Sequence, residues 1–520
     1  MYNIVEPRIE NIKNEIERLL SLVQLEKNGR PIKVDGFRLR DLENWKTGYA
    51  QNIFDVLGPL SGKCNVECVF CMERSIPFER NNSFLSILEA TTRLKYYSPK
   101  SQKCLFPSTR PHMETFFNKN AIEILKKARK SSPEELFIIT TNGSTLTPDV
   151  VGQLSKIKPL LIKLSINSTD TQNRNFLMGL NNNKNKALEC MKFLKDAGIP
   201  FTGSIVAWPG LGNKEIEKSI RDISLYDPYG IRVRLPLVHK YSPVLPETNL
   251  ISFWKETSEF INSIKNDIDV PVWVEPVQYG RTPVISIIDG VINNSPAKRA
   301  GLMSGDQIVS IDGKKVSSRY EIRCLFGTDE FNSRDSIEIE IKRADKFITF
   351  RLDSSMNAGP TYPYNINLRH PGERFGILLL PDFDLGFLDN ILRLTTKHSA
   401  KKILLFSSPL TAGTVEKLIG NLGPYKKYFE ERDLWIYTIE NSWMEGNTAL
   451  LDSRFVEDYE KALLKLCTSL KVKPDLILIP DCFGSPWGTD FNGRSIFEIE
   501  SKTNVPIELI PWHYIYGKED

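Results

Sequence analysis

The sequence predicts an α/β protein: an open, partial (β/α)6 barrel, then a small mostly-β domain, then a second α/β domain. Three observations carry this. Between residues 49 and 268, short apolar runs alternate with amphipathic stretches about six times, the pattern of a parallel sheet with crossover helices. Residues 275–356 switch to short strands and Gly/Pro turns. From 368 to 520, buried apolar runs and helical periodicity resume. Six units instead of eight leave the barrel open. At 520 residues the chain is too long for one core, so several domains follow from length alone.

The elements follow in order. Residues 1–48 read as helical cladding, with "RIENIKNEIERLLSLVQ" amphipathic. Asn52 to Leu57 reads as a strand running into a Gly-containing loop. "FLSILEATTRLKYY" (84–97) and "NAIEILKKARKS" (120–131) have helical spacing, with the short apolar "KCLFP" (103–107) between them. "ELFIITTNGSTLT" (135–147) is a strand ending in turn residues, and Thr147 caps the helix after it. "LLIKLSINS" (160–168), "PFTGSIVAWPGLGN" (200–213) and "GIRVRLPLV" (230–238) are further strands. The helix at 182–198 closes on Gly198, and another starts at Asn213.

Composition excludes some classes. Sixty-eight basic and 64 acidic residues give a net charge of +4. That is too balanced to imply nucleic acid or an anionic membrane, and no stripe of Lys/Arg with interleaved aromatics stands out. No run of 18 or more apolar residues suggests a membrane span. The start lacks the order of a signal peptide, so the expected compartment is the cytoplasm. Eight cysteines are too few for a disulfide scaffold. Cys104, Cys190, Cys324, Cys467 and Cys482 stand alone and read as small, buried or partly buried apolar residues.

The other three cysteines lie together in "SGKCNVECVFCMERS" (61–75), as C-x3-C-x2-C. A structural zinc site closes with four ligands, usually as two short pairs. Here the second pair is missing, and the nearest histidine, His112, is far downstream. Three thiolates on one tight loop suit three irons of a 4Fe–4S cubane, leaving the fourth open to a small molecule. On spacing alone, a zinc or redox site stays open as an alternative.

The context resembles the radical S-adenosylmethionine (radical SAM) superfamily over roughly residues 50–265. The C-x3-C-x2-C spacing with aromatic Phe70 before the last cysteine matches the family motif. "ETFFNKNAIEIL" stands where the family has its Gly-Gly-Glu stretch, with His112 and Met113 replacing the glycines. The resemblance implies that Cys64, Cys68 and Cys71 hold one 4Fe–4S cluster and that Phe70 packs near adenine. It implies that Glu114 accepts from the SAM amino group. It further assigns Thr141 and Asn142 of "TTNGS", Ser165 and Asn167 of "LSINSTD", and Pro209 and Gly210 of "VAWPGLGN" to the cofactor. No second cysteine group offers an auxiliary cluster. Cys104 is the candidate hydrogen donor. A low-potential electron donor such as a flavodoxin or ferredoxin is the implied partner.

"SPAKRAGLMSGDQIVSIDGKKV" closely resembles a bacterial PDZ domain. Ser295 and Pro296 open a short helix, Gly301 and Gly305 make turns, "QIVSIDG" is a strand, and "DKFITFRLD" (345–353) closes the domain. Such domains add an extended peptide to a sheet edge. The expected carboxylate loop, "QYGRTP" (278–283), lacks the glycine–hydrophobic alternation of that loop. Residues 368–520 resemble the uncharacterised C-terminal domain of PDZ-containing radical SAM proteins, with "DCFGSPWGTDFNGRS" (481–495) as a long polar loop. The expected function is radical chemistry on a peptide, protein or small molecule. The alternative is a scaffolding protein with a metal-stabilised loop that recognises peptide tails through its PDZ domain.

Overall fold

The computed structural model describes residues 53–75, 83–97, 113–180, 188–276, 285–354, 373–380, 385–421, 423–446, 454–470, 473–481 and 492–511, with 382, 490 and short strand pairs between 26 and 38. The chain divides into two compact units. One takes Gln51–Gly280 and Val284–Asp382, and the other takes Met1–Ala50 and Phe383–Lys518.

The first unit is built on five parallel strands: β1 (Phe137–Thr141), β2 (Leu160–Ser165), β3 (Phe201–Val206), β4 (Gly230–Arg234) and β5 (Val272–Glu275). They lie side by side in chain order. Ser165 pairs with Ser204, Ser204 with Arg232, and Arg234 with Glu275. Side chains alternate between faces. The outer face carries Ile139, Ile162, Ile205 and Val233, all fully or almost fully buried. Gly203 belongs to this face, and a Cβ there would stand 2.9 Å from Ile223 of the helix α7 (Asn213–Ser224). Along the inner face, apolar residues give way to polar ones toward the strands' C-terminal ends.

The helices between these strands start and stop on local chemistry. α1 is Ile53–Leu57, α2 Ile87–Leu94, α3 Ala121–Ser131, α4 Pro148–Leu154, α5 Thr171–Met178 and α6 Cys190–Asp196. Thr147 caps α4, its hydroxyl accepting from Val150 N at 3.3 Å. Asp170 caps α5 through Gln172 N and Asn173 N, each at 3.0 Å. α5 ends on Gly179 at φ +59°.

Two expectations change here. The segment read as a first strand is the helix α1. Its buried positions, Ile53, Phe54 and Leu57, have helical spacing, and Gly58 N donates to Phe54 O at 2.8 Å. A five-residue apolar run fits either element by periodicity alone. β5, held between Pro271 and Pro276, passed unread. "KCLFP" (103–107) lies outside the described residues, as do Cys104, Cys482, His112 and "QYGRTP". Cys190 is buried as expected, whereas Cys324 is exposed.

The same unit contains the PDZ-like region. Strands β7 (Gln307–Ile311), β8 (Lys314–Lys315), β9 (Ser336–Arg343) and β10 (Lys346–Asp353) form an antiparallel sheet in the order β8-β7-β9-β10. Ser295 caps the short helix Pro296–Ala300, as read, and Gly301 ends it at φ +94°. Ser318 and Glu321 form a reciprocal capping box on the helix Arg319–Phe326. A further pair joins β6 (Gly290–Val291) to β11 (Ile377–Leu378) antiparallel. β11 comes from "ERFGILLLPD", which the sequence reading placed with the C-terminal domain.

This region meets the sheet at the N-terminal ends of its strands. Ile292 is fully buried in a cluster with Leu136, Ile138, Leu161 and Tyr229. Asn293 and Asn294 donate to the Asp227 carboxylate at 3.1 and 3.2 Å. Leu378 and Leu380 pack on Trp273. Ile292 thus forms part of the apolar floor of the half-barrel.

The second unit has four parallel strands, β12 (Lys402–Ser407), β13 (Asp433–Thr438), β14 (Leu476–Asp481) and β15 (Ile507–Pro511), in the order β13-β12-β14-β15. The helix Val456–Leu470 covers one face, burying Val456, Tyr459 and Leu463 with Leu404, Phe406 and Ile477. All four strands were read from the sequence. Near the N-terminus, Glu26–Lys27 pairs with Arg30–Pro31 and Lys33–Val34 with Phe37–Arg38, where helical cladding was expected. The helix read over 8–24 and most of the 481–495 loop lie outside the described residues.

Candidate active site

The cysteine loop runs from α1 to the short helix Met72–Ser75 and is clamped along its length. Leu60 O accepts from Leu85 N at 3.1 Å and from Asn118 Nδ2 at 2.7 Å. Glu67 N donates to Met178 O and Val69 N to Leu177 O, each at 3.0 Å. These two bonds hold Cys68 from both sides against the end of α5. The approach is close enough that a Cβ on Gly179 would lie 2.5 Å from Glu67 O. Cys71 N donates to Cys68 O at 3.1 Å. His239 Nε2 lies 3.0 Å from Met72 O and fixes the loop's exit.

None of the three cysteines is in a disulfide. Burial pushes the Cys68 thiol far up, and Cys71 and Cys64 add to the shift. Burial also raises Cys64, although its surface is open to solvent; the Val66 N–H opposes the shift and the Glu114 carboxylate adds to it. Among the described residues, no three His, Cys, Asp or Glu side chains converge as a metal would draw them. A bound metal would displace protons from these thiols and draw them together. The donor set itself, three cysteines outside any disulfide on one anchored loop whose motif has no fourth, fits a cluster with one open iron.

Asn142, just past β1, reaches the loop. Its Nδ2 donates to Asn65 Oδ1 at 2.8 Å and lies 3.9 Å from Cys64 Sγ. Asn65 Nδ2 donates to Ser144 Oγ at 2.7 Å, and Ser144 Oγ donates to Asn142 Oδ1 at 2.6 Å. Glu114 is 2% exposed. It accepts from Thr141 Oγ1 at 2.6 Å, Asn142 N at 2.7 Å and Phe116 N at 3.2 Å. Burial pushes its carboxyl upward while these bonds oppose the shift. Oε2 accepts only from Asn142 N among the described residues, so one acceptor site remains there.

Ser165 ends β2, half-buried on the inner face. Asn167 follows at φ +62°. Its Oδ1 accepts from Val206 N at 3.2 Å, while its buried Nδ2 has no partner among the described residues. A buried donor without a partner is costly and fits a polar ligand over the strand ends. Pro209 and Gly210 turn the chain after β3, Gly210 at φ +98°. Their neighbour Trp208 brings this turn to the cysteine loop: its ring centroid is 6.4 Å from that of Phe70. The assigned residues that the structure describes therefore share the C-terminal side of the sheet.

Sequence reading missed Asn65, Trp208, His239 and Arg174. Arg174, on α5, is 1% exposed. It donates to Ile166 O, to Ser165 O at 3.4 Å and to Asn142 O at 3.2 Å, tying the ends of β1 and β2. Burial lowers its pKa to about 10, opposed by Cys190 and Cys68, so it stays charged at neutral pH. "TDTQNRNFLMG" looks like a solvated helix, and only the packing shows the arginine turned inward.

Residues 59–223 match the family model of the Radical SAM superfamily. Residues 263–353 match that of the PDZ domain. The chain carries both regions. Among solved structures, Streptococcus suis SuiB bound to S-adenosylmethionine is similar at 15% identity and TM-score 0.35, over 52% of this chain and 61% of that one. Methylornithine synthase (PylB) is similar at 16% identity and TM-score 0.29, over 43% and 74%. anSMEcpe with bound AdoMet is similar at 15% identity and TM-score 0.30, over 41% and 62%. The chain thus spans less than two thirds of SuiB. No curated protein matches the sequence. No helix among the described residues is long and apolar enough to cross a membrane.

Proposed function

We propose that the first unit is a radical SAM enzyme with a single 4Fe–4S cluster. The observation that carries this reading is the loop of three cysteines outside any disulfide, anchored by Glu67 N, Val69 N and Asn142 at the C-terminal ends of parallel strands, with no fourth cysteine in its motif. Cys64, Cys68 and Cys71 would hold the cluster. When bound and reduced by a low-potential donor, it supplies the electron that cleaves SAM to methionine and a 5′-deoxyadenosyl radical, which takes a hydrogen atom from the substrate.

The chain's own residues do the positioning. Asn142 orients Cys64 and, with Thr141, fixes the Glu114 carboxylate, whose remaining Oε2 site would accept from the SAM amine. Asn167 Nδ2 and Ser165 would take the ribose or carboxylate. Phe70 and Trp208, with Pro209 and Gly210 beside them, would enclose the adenine and exclude water. The half-barrel would seat the substrate on its inner face. The PDZ region contributes Ile292 to the floor, at the opposite end of strands about 17–20 Å long. We assign it the role of closing that floor, since a tail captured there would start a strand's length from the chemistry.

Anaerobic reconstitution tests the reading. The expected result is about four irons per chain, lost in Cys64→Ala, Cys68→Ala and Cys71→Ala, and 5′-deoxyadenosine from SAM under a strong reductant. Wild-type protein that takes up no iron, or that holds iron but leaves SAM intact, would overturn it.

A further inference from the structure

The inner face has a polar layer above its apolar floor. Arg232 and Arg234 lie two apart on β4 and so share this face. Arg232 is 8% exposed. Its Nε donates to Ser204 Oγ at 3.0 Å, and its Nη1 lies 3.5 Å from Glu275 Oε2. Glu275 also accepts from Trp273 Nε1 at 3.2 Å. Arg232 is thereby braced between β3 and β5.

Arg234 is different. Its Nε lies 3.1 Å from Glu275 Oε2, yet that buried N–H makes no hydrogen bond among the described residues. The contact is a charge contact with the donor pointing elsewhere. Two guanidinium groups thus meet at the Glu275 carboxylate. The Arg234 side chain is 38% exposed, so it is reachable from the open side. It sits at the C-terminal end of β4, on the same side of the sheet as Ser165 and the cysteine loop but toward the other edge. A guanidinium presents its donors as a planar fork that matches carboxylate and phosphate oxygens. A lone exposed arginine is ordinary. One whose buried Nε makes no hydrogen bond among the described residues, beside a braced second arginine, has a donor left to offer an anion.

We propose that the substrate of this site is a small molecule carrying a carboxylate or phosphate group, and that Arg234, steadied by Arg232 and Glu275, holds that group. This rests on the radical SAM reading for the reaction, but the binding itself needs no cluster. The layer would set the substrate's orientation by its charged end and leave its C–H bonds facing the cofactor.

The test uses the full chain with inorganic phosphate and citrate as probes, against chloride at matched ionic strength. Binding is read by thermal shift and by tryptophan emission, with Trp273→Phe assigning the signal. The expected result is saturable binding of at least one probe. It weakens about tenfold or more in Arg234→Gln, as loss of a charge-assisted bond implies, and stays unchanged in Arg221→Gln on the outer helix α7. Arg234→Lys should fall between, and it covers the case where the glutamine variant does not fold. Whichever probe binds more tightly separates phosphate from carboxylate. No saturable binding, or equal affinity in wild type and Arg234→Gln, would overturn the proposal. Iron content and 5′-deoxyadenosine report separately on the parent reading, so the two can fail independently.

Discussion

Arg174 shows what a single buried charge does at this site. It has no carboxylate partner among the described residues, and Cys68 is held against the end of its helix by two backbone bonds. A cation buried this way is expensive unless a countercharge arrives. Three thiolates and a cluster would supply that countercharge, and reduction would add to it. Arg174→Gln should therefore make the loaded site harder to reduce. The expected shift is about tenfold in the one-electron equilibrium, about 59 mV more negative, read by redox titration of the reconstituted protein, with Arg174→Lys restoring most of it. An unchanged potential would mean that the charge does not reach the cluster. Gly179 makes the same point sterically. Gly179→Ala forces φ +59° on a side chain, costing about 1–2 kcal/mol, and drives Cβ into Glu67 O. Iron content should drop along with the denaturation midpoint.

At the scale of elements, the alternation of strands and helices was legible wherever strands were long and ended in turn residues. β1 to β4 and β12 to β15 were all read, because their apolar runs are closed by Asn, Gly, Pro or Asp. The failures have physical causes. α1 is five residues long, too short for its period to separate helix from strand. β5 has four residues between two prolines. β11 carries "GILLL", which any α/β domain would accept; only its pairing with Gly290–Val291 reveals its place. The site was legible through its residue types at strand ends. Asn65 and Arg174 were not, because their roles depend on neighbours 77 and 32 residues away. The floor can be tested as an element. Ile292→Ala should cost about 2–4 kcal/mol in denaturant unfolding of the first unit, as for a fully buried side chain. A cost near zero would mean that the PDZ region merely rests against the sheet.

Within the first unit as a whole, the floor and the cysteine loop lie at opposite ends of the same strands. Local stability differs across a structure and can be mapped by amide exchange. The loop is anchored by backbone bonds at Leu60, Glu67 and Val69, but its thiols are not gathered, so iron should add order to it. Loading the cluster should slow exchange at Glu67, Val69 and the flanking amides, and leave β9 and β10 unchanged. Ile292→Ala should do the reverse, speeding exchange at the starts of β1, β2 and β4 while leaving the loop as it was. If instead the floor variant loosens the loop, or loading tightens β9 and β10, the two ends are coupled through the sheet. The PDZ region would then act on the chemistry as well as closing the barrel beneath it.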